Sequence, residues 1–541
     1  MPTRHARTCL LTTESHWRTY VQGHDHYVRQ ILAKLSAEPE GVPLVHRDTP
    51  TTARELADHV VSAAARMREH GVGPGSAVAV LTNPNTPATL ILRYAANLVG
   101  ATAVHIRGVN AVDPSDELSA EAQLGILMDV APAVLAIDRD NIARALELCG
   151  SLPERPPIAV FGGADALPDA IDLSAPADLD LTTAEQGTIA VVTYTSGSTG
   201  KPKGVSWPYA VKNEMVATSA VRGDRARCLV TAPLTHSSGA TADDTIVAGG
   251  VVVLHPGFDA AEVLRAVPRH GITRLVLGSP QVNALAEHPD TAHTDLTSLR
   301  EVFYTGSPAA PERLAHAVKA LGPVLFQVYG TSETGLISLL TPQDHLDPEL
   351  RATVGRPPEA VRVSIRSVAD GRELPAGEAG EVCVIGRWQM AGYWNEPELT
   401  AQVVRDGWVH TGDIGHLDEA GCLHLHGRIA DVIKVKGIKV HPSAVERVLL
   451  EHPGVAAAAV FGVEDEQRVE RICAAVVPRD GVTLHPSVLE RHVTAALSAN
   501  HVPAEIELRE TLPLVGPGKP DRVRLRAEAV ARAARAEGAG S

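Results

Sequence analysis

Between residues 191 and 205 the chain reads VVTYTSGSTGKPKGV. A short apolar strand runs into Thr195, Ser196, Gly197, Ser198, Thr199, Gly200, Lys201 and Lys203. Those residue types suit a polyphosphate. Glycines let backbone N–H groups turn toward one anion, hydroxyls add donors, and two lysines add charge. A flexible Gly/Ser linker seldom follows a strand directly or carries two lysines. The loop is not a Walker A loop, because Pro202 follows Lys201 and the glycine spacing differs. G-x-S-x-G and H-E-x-x-H are absent, which removes the serine-hydrolase elbow and the zincin. His424 and His426 alternate along a strand-like run and so share one face. Two histidines without a Cys or carboxylate partner do not complete a metal site, and no metal is expected there.

A strand that delivers such a loop needs a sheet around it. VPLVH at 43–47 reads as a strand, and Thr52 with Glu55 forms a capping-box pattern. Leu56, Val60, Ala63, Ala64 and Met67 recur at helical spacing, and Gly71 stands where that helix should stop. The spacing then predicts a strand over 77–81, a helix over 87–98 and a strand over 101–106. Strand–helix–strand units with apolar strands imply a parallel sheet covered on both faces. The rhythm returns at 251–254, 262–268, 273–277, 300–304, 311–320 and 324–328. After about residue 355 the segments are short, alternating and separated by Gly and Pro, which predicts a β-rich part. After Arg428 an α+β unit of its own is expected: strand 431–436, helix 443–451, strands 455–461 and 471–477, helix 486–499 and strand 505–509. The Ala-rich residues 526–541 read as a frayed helix or tail.

The chain has 541 residues, enough for three or four domains or one large domain plus a small one. Hydrophobic residues make up 44% and charged residues 21%, which supports a large core and excludes collagen-like and disordered classes. Aromatics are only 3%, too few for a stacking platform for single-stranded nucleic acid. Lys plus Arg is 49 and Asp plus Glu is 64, so the net charge of −15 repels phosphate backbones. Cys9, Cys149, Cys228, Cys383, Cys422 and Cys473 form no C-x-x-C pair, and read as small buried thiols in a reducing compartment. The first seventeen residues lack a signal-peptide apolar stretch, and runs such as 455–463 fall short of the ~20 residues a spanning helix needs. A soluble cytoplasmic protein is expected, with no nucleic acid and no membrane as partner.

The 191–205 loop closely resembles the phosphate-binding loop of the adenylate-forming superfamily, which includes acyl- and aryl-CoA synthetases, peptide-synthetase adenylation domains and luciferases. It does not stand alone. Tyr329-Gly330-Thr331-Ser332-Glu333-Thr334-Gly335, Met390-Ala391-Gly392-Tyr393-Trp394-Asn395, Trp408-Val409-His410-Thr411-Gly412-Asp413, Gly427-Arg428 with residues 431–437, and Pro513-Leu514-Val515-Gly516-Pro517-Gly518-Lys519 resemble further family motifs, in family order. The resemblance implies an α/β fold: a large N-terminal domain of parallel and mixed sheets covered by helices, with a β-rich subdomain, over 1–428. It also implies a small mobile α+β lid domain over 429–541. The implied activity is ATP-dependent: a carboxylate attacks the α-phosphate, pyrophosphate leaves, and the acyl-adenylate passes to coenzyme A or a carrier-protein thiol. By resemblance, Thr195 through Lys203 hold the β- and γ-phosphates, Glu333 binds Mg²⁺, and Thr331 touches the α-phosphate. Tyr329, Gly330 and the segment Gly306, Ser307 and Pro308 adjoin the nucleotide, the last three along the adenine. Asp413 accepts from the ribose hydroxyls and Arg428 adds a charged donor nearby. Lys519 bridges the attacking carboxylate and the α-phosphate.

Two features qualify this picture. The hinge position two residues after Arg428 carries Ala430 where many relatives have a charged side chain, so thiol transfer is less firmly implied than adenylation. Lys434, Lys436 and Lys439 beyond the hinge could meet the nucleotide or thiol donor. The acyl pocket should draw on His236, Ser237, Gly239, Asp243 and Thr305. Two adjacent carboxylates, Asp243 and Asp244, and several hydroxyls fit a fatty-acid tunnel badly. One aspartate is expected to face a polar or amino-bearing acid, so the substrate is expected to be small, aromatic or polar. Alternatives are another oxyanion such as nitrite, or a non-catalytic nucleotide-binding protein. A monomer or homodimer is expected.

Overall fold

A computed structural model describes residues 26–83, 85–106, 118–163, 165, 167–180, 186–195, 202–306, 310–435, 438–464, 470–515 and 519–538. Strand Ala77–Leu81 and helix Pro87–Leu98 have the bounds their sequence predicts. Helix Ala53–Glu69 begins at Thr52, whose side chain and that of Glu55 form the reciprocal capping box. Gly71, at φ +80°, follows its end.

Two eight-stranded mixed sheets form the large domain. In one, parallel strands Leu325–Thr331, Glu301–Thr305, Arg274–Gly278, Arg227–Val230, Val251–Leu254 and Leu44–His46 lie side by side, with Gly335–Leu340 and Thr49–Thr51 antiparallel at the two edges. In the other, Ile189–Thr195, Thr102–His105, Ala77–Leu81, Val134–Asp138, Ile158–Phe161 and Ile171–Asp172 run parallel. Lys203–Pro208 and Gly392–Tyr393 complete that sheet antiparallel. The main core fills the layer between the sheets, where helices Pro87–Leu98, Tyr209–Arg222 and Ser237–Val247 contribute buried side chains. A smaller antiparallel sheet of Val361–Arg366, Gly380–Gly386, Trp408–Leu417, Val404–Arg405 and Leu423–Arg428 is the expected β-rich part.

The chain after Arg428 builds its own sheets and cores. Hairpin Ile433–Val435/Ile438–Val440 and strands Val455–Glu464, Glu470–Pro478 and Glu505–Leu508 pack against helices Pro442–Glu451 and Pro486–Ala496. Helix Arg522–Gly538 covers the other face through Leu525 and Ala529. Polar bonds tie this smaller domain to the larger one. Arg479 pairs with Glu287 at 2.6 Å, Arg313 donates to the carbonyl of Ala456 at 2.6 Å, and Ser443 donates to the carbonyl of His426.

Candidate active site

Strand Ile189–Thr195 points its C-terminal end at the glycine-rich loop, and Lys203–Pro208 returns antiparallel beside it. Thr195 pairs with Lys203 in that ladder. Gly204 is required by packing: a Cβ there would lie 2.9 Å from Val192 and 3.1 Å from Trp394. Ser196, Gly197, Ser198, Thr199, Gly200 and Lys201 lie outside the described residues, as do Ser307 and Pro308.

Three sheets meet beside Lys203, where the described chain resumes its strand. The Lys203 ammonium lies 5.8 Å from the centre of the Tyr393 ring. The Tyr393 hydroxyl donates to Glu333 Oε1 at 2.7 Å, and the amide of Met390 donates to the Glu333 carbonyl at 2.8 Å. Among the described residues Tyr393 is the hydrogen-bond partner of the Glu333 carboxylate, on Oε1, which leaves Oε2 available to a cation. Two residues earlier, the hydroxyls of Thr331 and Thr334 are 3.0 Å apart. The turn is tight: a Cβ on Gly330 would lie 2.1 Å from the carbonyl of Gly335.

The small sheet supplies the next group. The Tyr329 hydroxyl donates to Asp413 Oδ2 at 2.7 Å, and Arg428 Nε donates to Asp413 Oδ1 at 2.9 Å. Burial, reinforced by the Asp413 carboxylate, pushes the Tyr329 phenol well above its ordinary range, so it remains a donor. Each Asp413 oxygen keeps a further lone pair for an outside hydroxyl. Thus Lys203, Tyr393 and Glu333 form one linked set and Tyr329, Asp413 and Arg428 another, and the segment from Tyr329 through Thr331 to Glu333 carries members of both. Lys519 pairs with Val515 in a two-residue hairpin; its side chain and residues 516–518 lie outside the described residues. Lys434 and Lys439 are exposed, and Lys436 is not described.

Sequence reasoning missed what aims Asp413. Glu381 Oε1 accepts the amide of Gly412 at 3.2 Å, and Glu381 Oε2 lies 2.8 Å from His410 Nδ1. Cys383 Sγ is 3.3 Å from the same nitrogen. Glu381, Cys383 and His410 could surround a metal ion by distance. They are instead already joined by hydrogen bonds, and the turn at Gly412, φ +72°, is fixed from behind. The signal was present in the alternation Glu381-x-Cys383, but its cross-strand partner His410 is 27 residues from Cys383.

The acyl-pocket residues separate into two groups. His236 is half-buried, with Nδ1 3.0 Å from the Thr235 hydroxyl, and burial lowers its pKa so that the ring is neutral. The carbonyl of Thr235 accepts from Thr193 on the strand that delivers the phosphate loop, at 3.2 Å. Ser237 is exposed, and Thr305 is half-buried at the end of its strand just before Gly306, whose φ is +103°. Asp243 and Gly239 do not fit the expectation. Asp243 is fully buried, and its carboxylate is taken by Arg93, by Lys212 Nζ at 2.6 Å and by the Tyr94 hydroxyl at 2.6 Å. It ties three helices together and has no charge left for an amino group. A Cβ on Gly239 would lie 2.1 Å from the Leu234 carbonyl and 2.5 Å from Arg93, so Gly239 serves this packing. Asp244 is half-buried against helix Tyr209–Arg222, and burial raises its carboxyl to about 6 while the Ser219 hydroxyl opposes the shift. His416 stacks on His424 and His426 at 4.4 and 5.0 Å, so the two histidines do share a face.

Comparison with known proteins agrees with this geometry. The chain matches the AMP-binding enzyme family over residues 33–394 and the AMP-binding enzyme C-terminal domain over 444–519. It is 34% identical to a medium/long-chain-fatty-acid–CoA ligase of Mycobacterium tuberculosis, over 91% of this chain and 88% of that one. It is 33% identical to a feruloyl-CoA synthase of an Amycolatopsis species, over 90% and 96%. Among solved structures it resembles the amide bond synthetase McbA from Marinactinospora thermotolerans, with TM-score 0.81 and 36% identity over 93% of this chain and 98% of that one. The chain belongs to the AMP-binding, adenylate-forming family. It is an ATP-dependent, AMP-forming ligase whose chemistry is adenylation of an acid followed by transfer. No helix among the described residues is long and apolar enough to cross a membrane.

Proposed function

We propose that this cleft activates a small aromatic or polar carboxylic acid and passes the acyl group to the thiol of coenzyme A or of a carrier protein. An oxygen of the acid attacks the α-phosphorus of ATP, the bond to pyrophosphate breaks, and the mixed anhydride forms. The single observation that carries this reading is the pair of linked sets, Lys203 with Tyr393 and Glu333, and Tyr329 with Asp413 and Arg428, joined through the chain from Tyr329 to Glu333 and set where the strand ladder opens into a phosphate-type sequence. In it Asp413 and Arg428 bind the ribose. Thr195 and Lys203, with the loop between them, bind the outer phosphates, and Thr331 lies at the α-phosphate. Glu333 fits Mg²⁺, because a half-exposed carboxylate with one hydroxyl partner offers the hard oxygen this ion prefers. The ion would neutralise phosphate charge. Lys519, carried by the smaller domain, reaches the attacking carboxylate when that domain closes. We place the boundary at Arg428/Ile429, where the small sheet ends and Ala430 begins the linker.

For the acid, the buried Ser238 hydroxyl in the first turn of the pocket helix, which has no hydrogen-bond partner among the described residues, favours a polar or compact substrate over a long alkyl chain. The five described cysteines are buried free thiols, in keeping with a reducing cytoplasm. A second reading of the acceptor is supported by the similarity to an amide bond synthetase: an amine in place of the thiol. The test is pyrophosphate–ATP exchange over an acid panel that includes nitrite, followed by product analysis with coenzyme A, a phosphopantetheinyl carrier or an amine. Exchange with a carboxylic acid supports adenylation. Exchange with nitrite alone moves the substrate to that oxyanion, and no exchange with any acid overturns catalysis.

A further inference from the structure

His105 ends the strand Thr102–His105. Side chains alternate along a strand. Ala103 packs into the layer between the two large sheets, whereas Val104 packs on the opposite face with Leu81 and Val192. His105 therefore projects into the inter-sheet layer. Its register partner is Thr193, whose hydroxyl donates to the carbonyl of Thr235, next to His236. The two strands run parallel, so His105 stands at the sheet end where the phosphate loop begins. In parallel α/β sheets ligands bind at that end.

His105 is only 3% exposed, and neither ring nitrogen has a hydrogen-bond partner among the described residues. Buried polar side chains are nearly always satisfied, so two orphan nitrogens on one buried ring point to a ligand. Arg93 Nε and Ser238 Oγ are likewise buried and unpartnered. They belong to the same neighbourhood, since Arg93 Nη2 lies 3.4 Å from the carbonyl of Gly239, the residue after Ser238. Burial, reinforced by the nearby charges of Arg93 and Lys212, lowers the His105 pKa to about 3, so the ring is neutral. A neutral imidazole offers one donor and one acceptor.

We propose that His105 is a specificity-determining residue of the acid pocket, hydrogen-bonding a hydroxyl, carbonyl or heteroaromatic N–H that the acid carries away from its activated carboxylate. The proposal rests on the adenylation reading above. Asp243 is wholly engaged by Arg93, Lys212 and Tyr94, and the charge of Asp244 also stands near Lys212, so both carboxylates face cations of the protein. His105 is neutral and no carboxylate of the site is left over to hold an ammonium substituent, so the substrate class is neutral polar acids. This replaces the amino-bearing acid that the sequence suggested.

The experiment measures kcat/KM for pyrophosphate release with matched acids: benzoate against 4-hydroxybenzoate, phenylacetate against indole-3-acetate, and 4-(aminomethyl)benzoate. The native protein should favour the hydrogen-bonding member by about ten-fold or more. His105→Leu should bring that ratio to within about two-fold of unity, and His105→Gln, which keeps a donor and an acceptor, should restore part of it. Thermal melts with MgATP check folding, and if the leucine variant does not fold, the native ratio and the glutamine variant decide. Equal use of both members by the native protein overturns the proposal, as does a leucine variant with the native ratio or a preference for the ammonium acid. Turnover of hydrocarbon acids alone sinks the proposal and leaves adenylation standing. No pyrophosphate release with any acid removes both.

Discussion

Replacing Asp243 by Asn separates a structural role from a substrate role. The native carboxylate meets Arg93, Lys212 and Tyr94 where all the groups are almost completely shielded from water. Asn preserves size but takes away the carboxylate that Arg93 and Lys212 share. Breaking a buried pair by removing one partner costs roughly 3–5 kcal/mol. Unfolding entropy of about 2.1 cal/mol/K per residue, over a large domain of roughly 400 residues, gives about 0.8 kcal/mol/K. The melting temperature of that domain should therefore fall by about 4–6 °C. Differential scanning calorimetry reads this directly. A companion variant, Arg93→Leu/Lys212→Met/Asp243→Leu, should recover most of the loss, because hydrophobic replacement of a buried ion network is often neutral or better. Relative kcat/KM across acids should be nearly unchanged in Asp243→Asn wherever it is folded. A native melting temperature combined with a large change in acid preference would refute the structural assignment and return Asp243 to the substrate.

Glu333→Gln should raise the Mg²⁺ concentration needed for half-maximal adenylation and slow the reaction. Glu301→Gln should leave that requirement alone, because Glu301 is paired with Arg274 at 2.6 Å; equal shifts in a Mg²⁺ titration would remove the metal role from Glu333. Lys519→Ala should lower adenylation about 10²–10³-fold, the effect of removing one preorganised charge contact, while calorimetric ATP binding survives. Near-native pyrophosphate exchange in that variant would contradict the assignment. His105 also predicts acid sensitivity. Its folded pKa of about 3 lies below the ordinary value of 6.5, so between those values the unfolded chain binds the extra proton and stability rises with pH. Its contribution is complete above about pH 6.5 and falls by roughly 1.4 kcal/mol per pH unit below it. His26, lowered to about 4, acts in the same direction. Urea unfolding at pH 7, 6 and 5 should show a shallower decline for His105→Leu than for the native protein, and identical slopes would count against a buried neutral His105.

The sequence by itself determined the local units. Apolar runs and turn residues set strand Ala77–Leu81 and helix Pro87–Leu98, and Thr52 with Glu55 set a helix start, because these signals act over a few residues. Motif resemblance singled out Glu333, Asp413 and Arg428, which then come together in space. Only the tertiary structure decided which atoms face one another. Tyr329 meets Asp413 across 84 residues, and Tyr393 meets Glu333 across 60. No spacing rule carries such a contact; it exists because three sheets converge there. The same holds for Asp243. As a sequence, two adjacent aspartates near a pocket helix read as a polar lining for substrate. In the fold, Arg93 arrives from 150 residues away and Lys212 from 31, and they take up the charge. His105 shows the reverse. One histidine after an apolar strand carries no signal, and it becomes informative only when burial leaves both its nitrogens without a partner. A hydrogen bond or ion pair is a property of two positions, and chain connectivity fixes only one of them at a time.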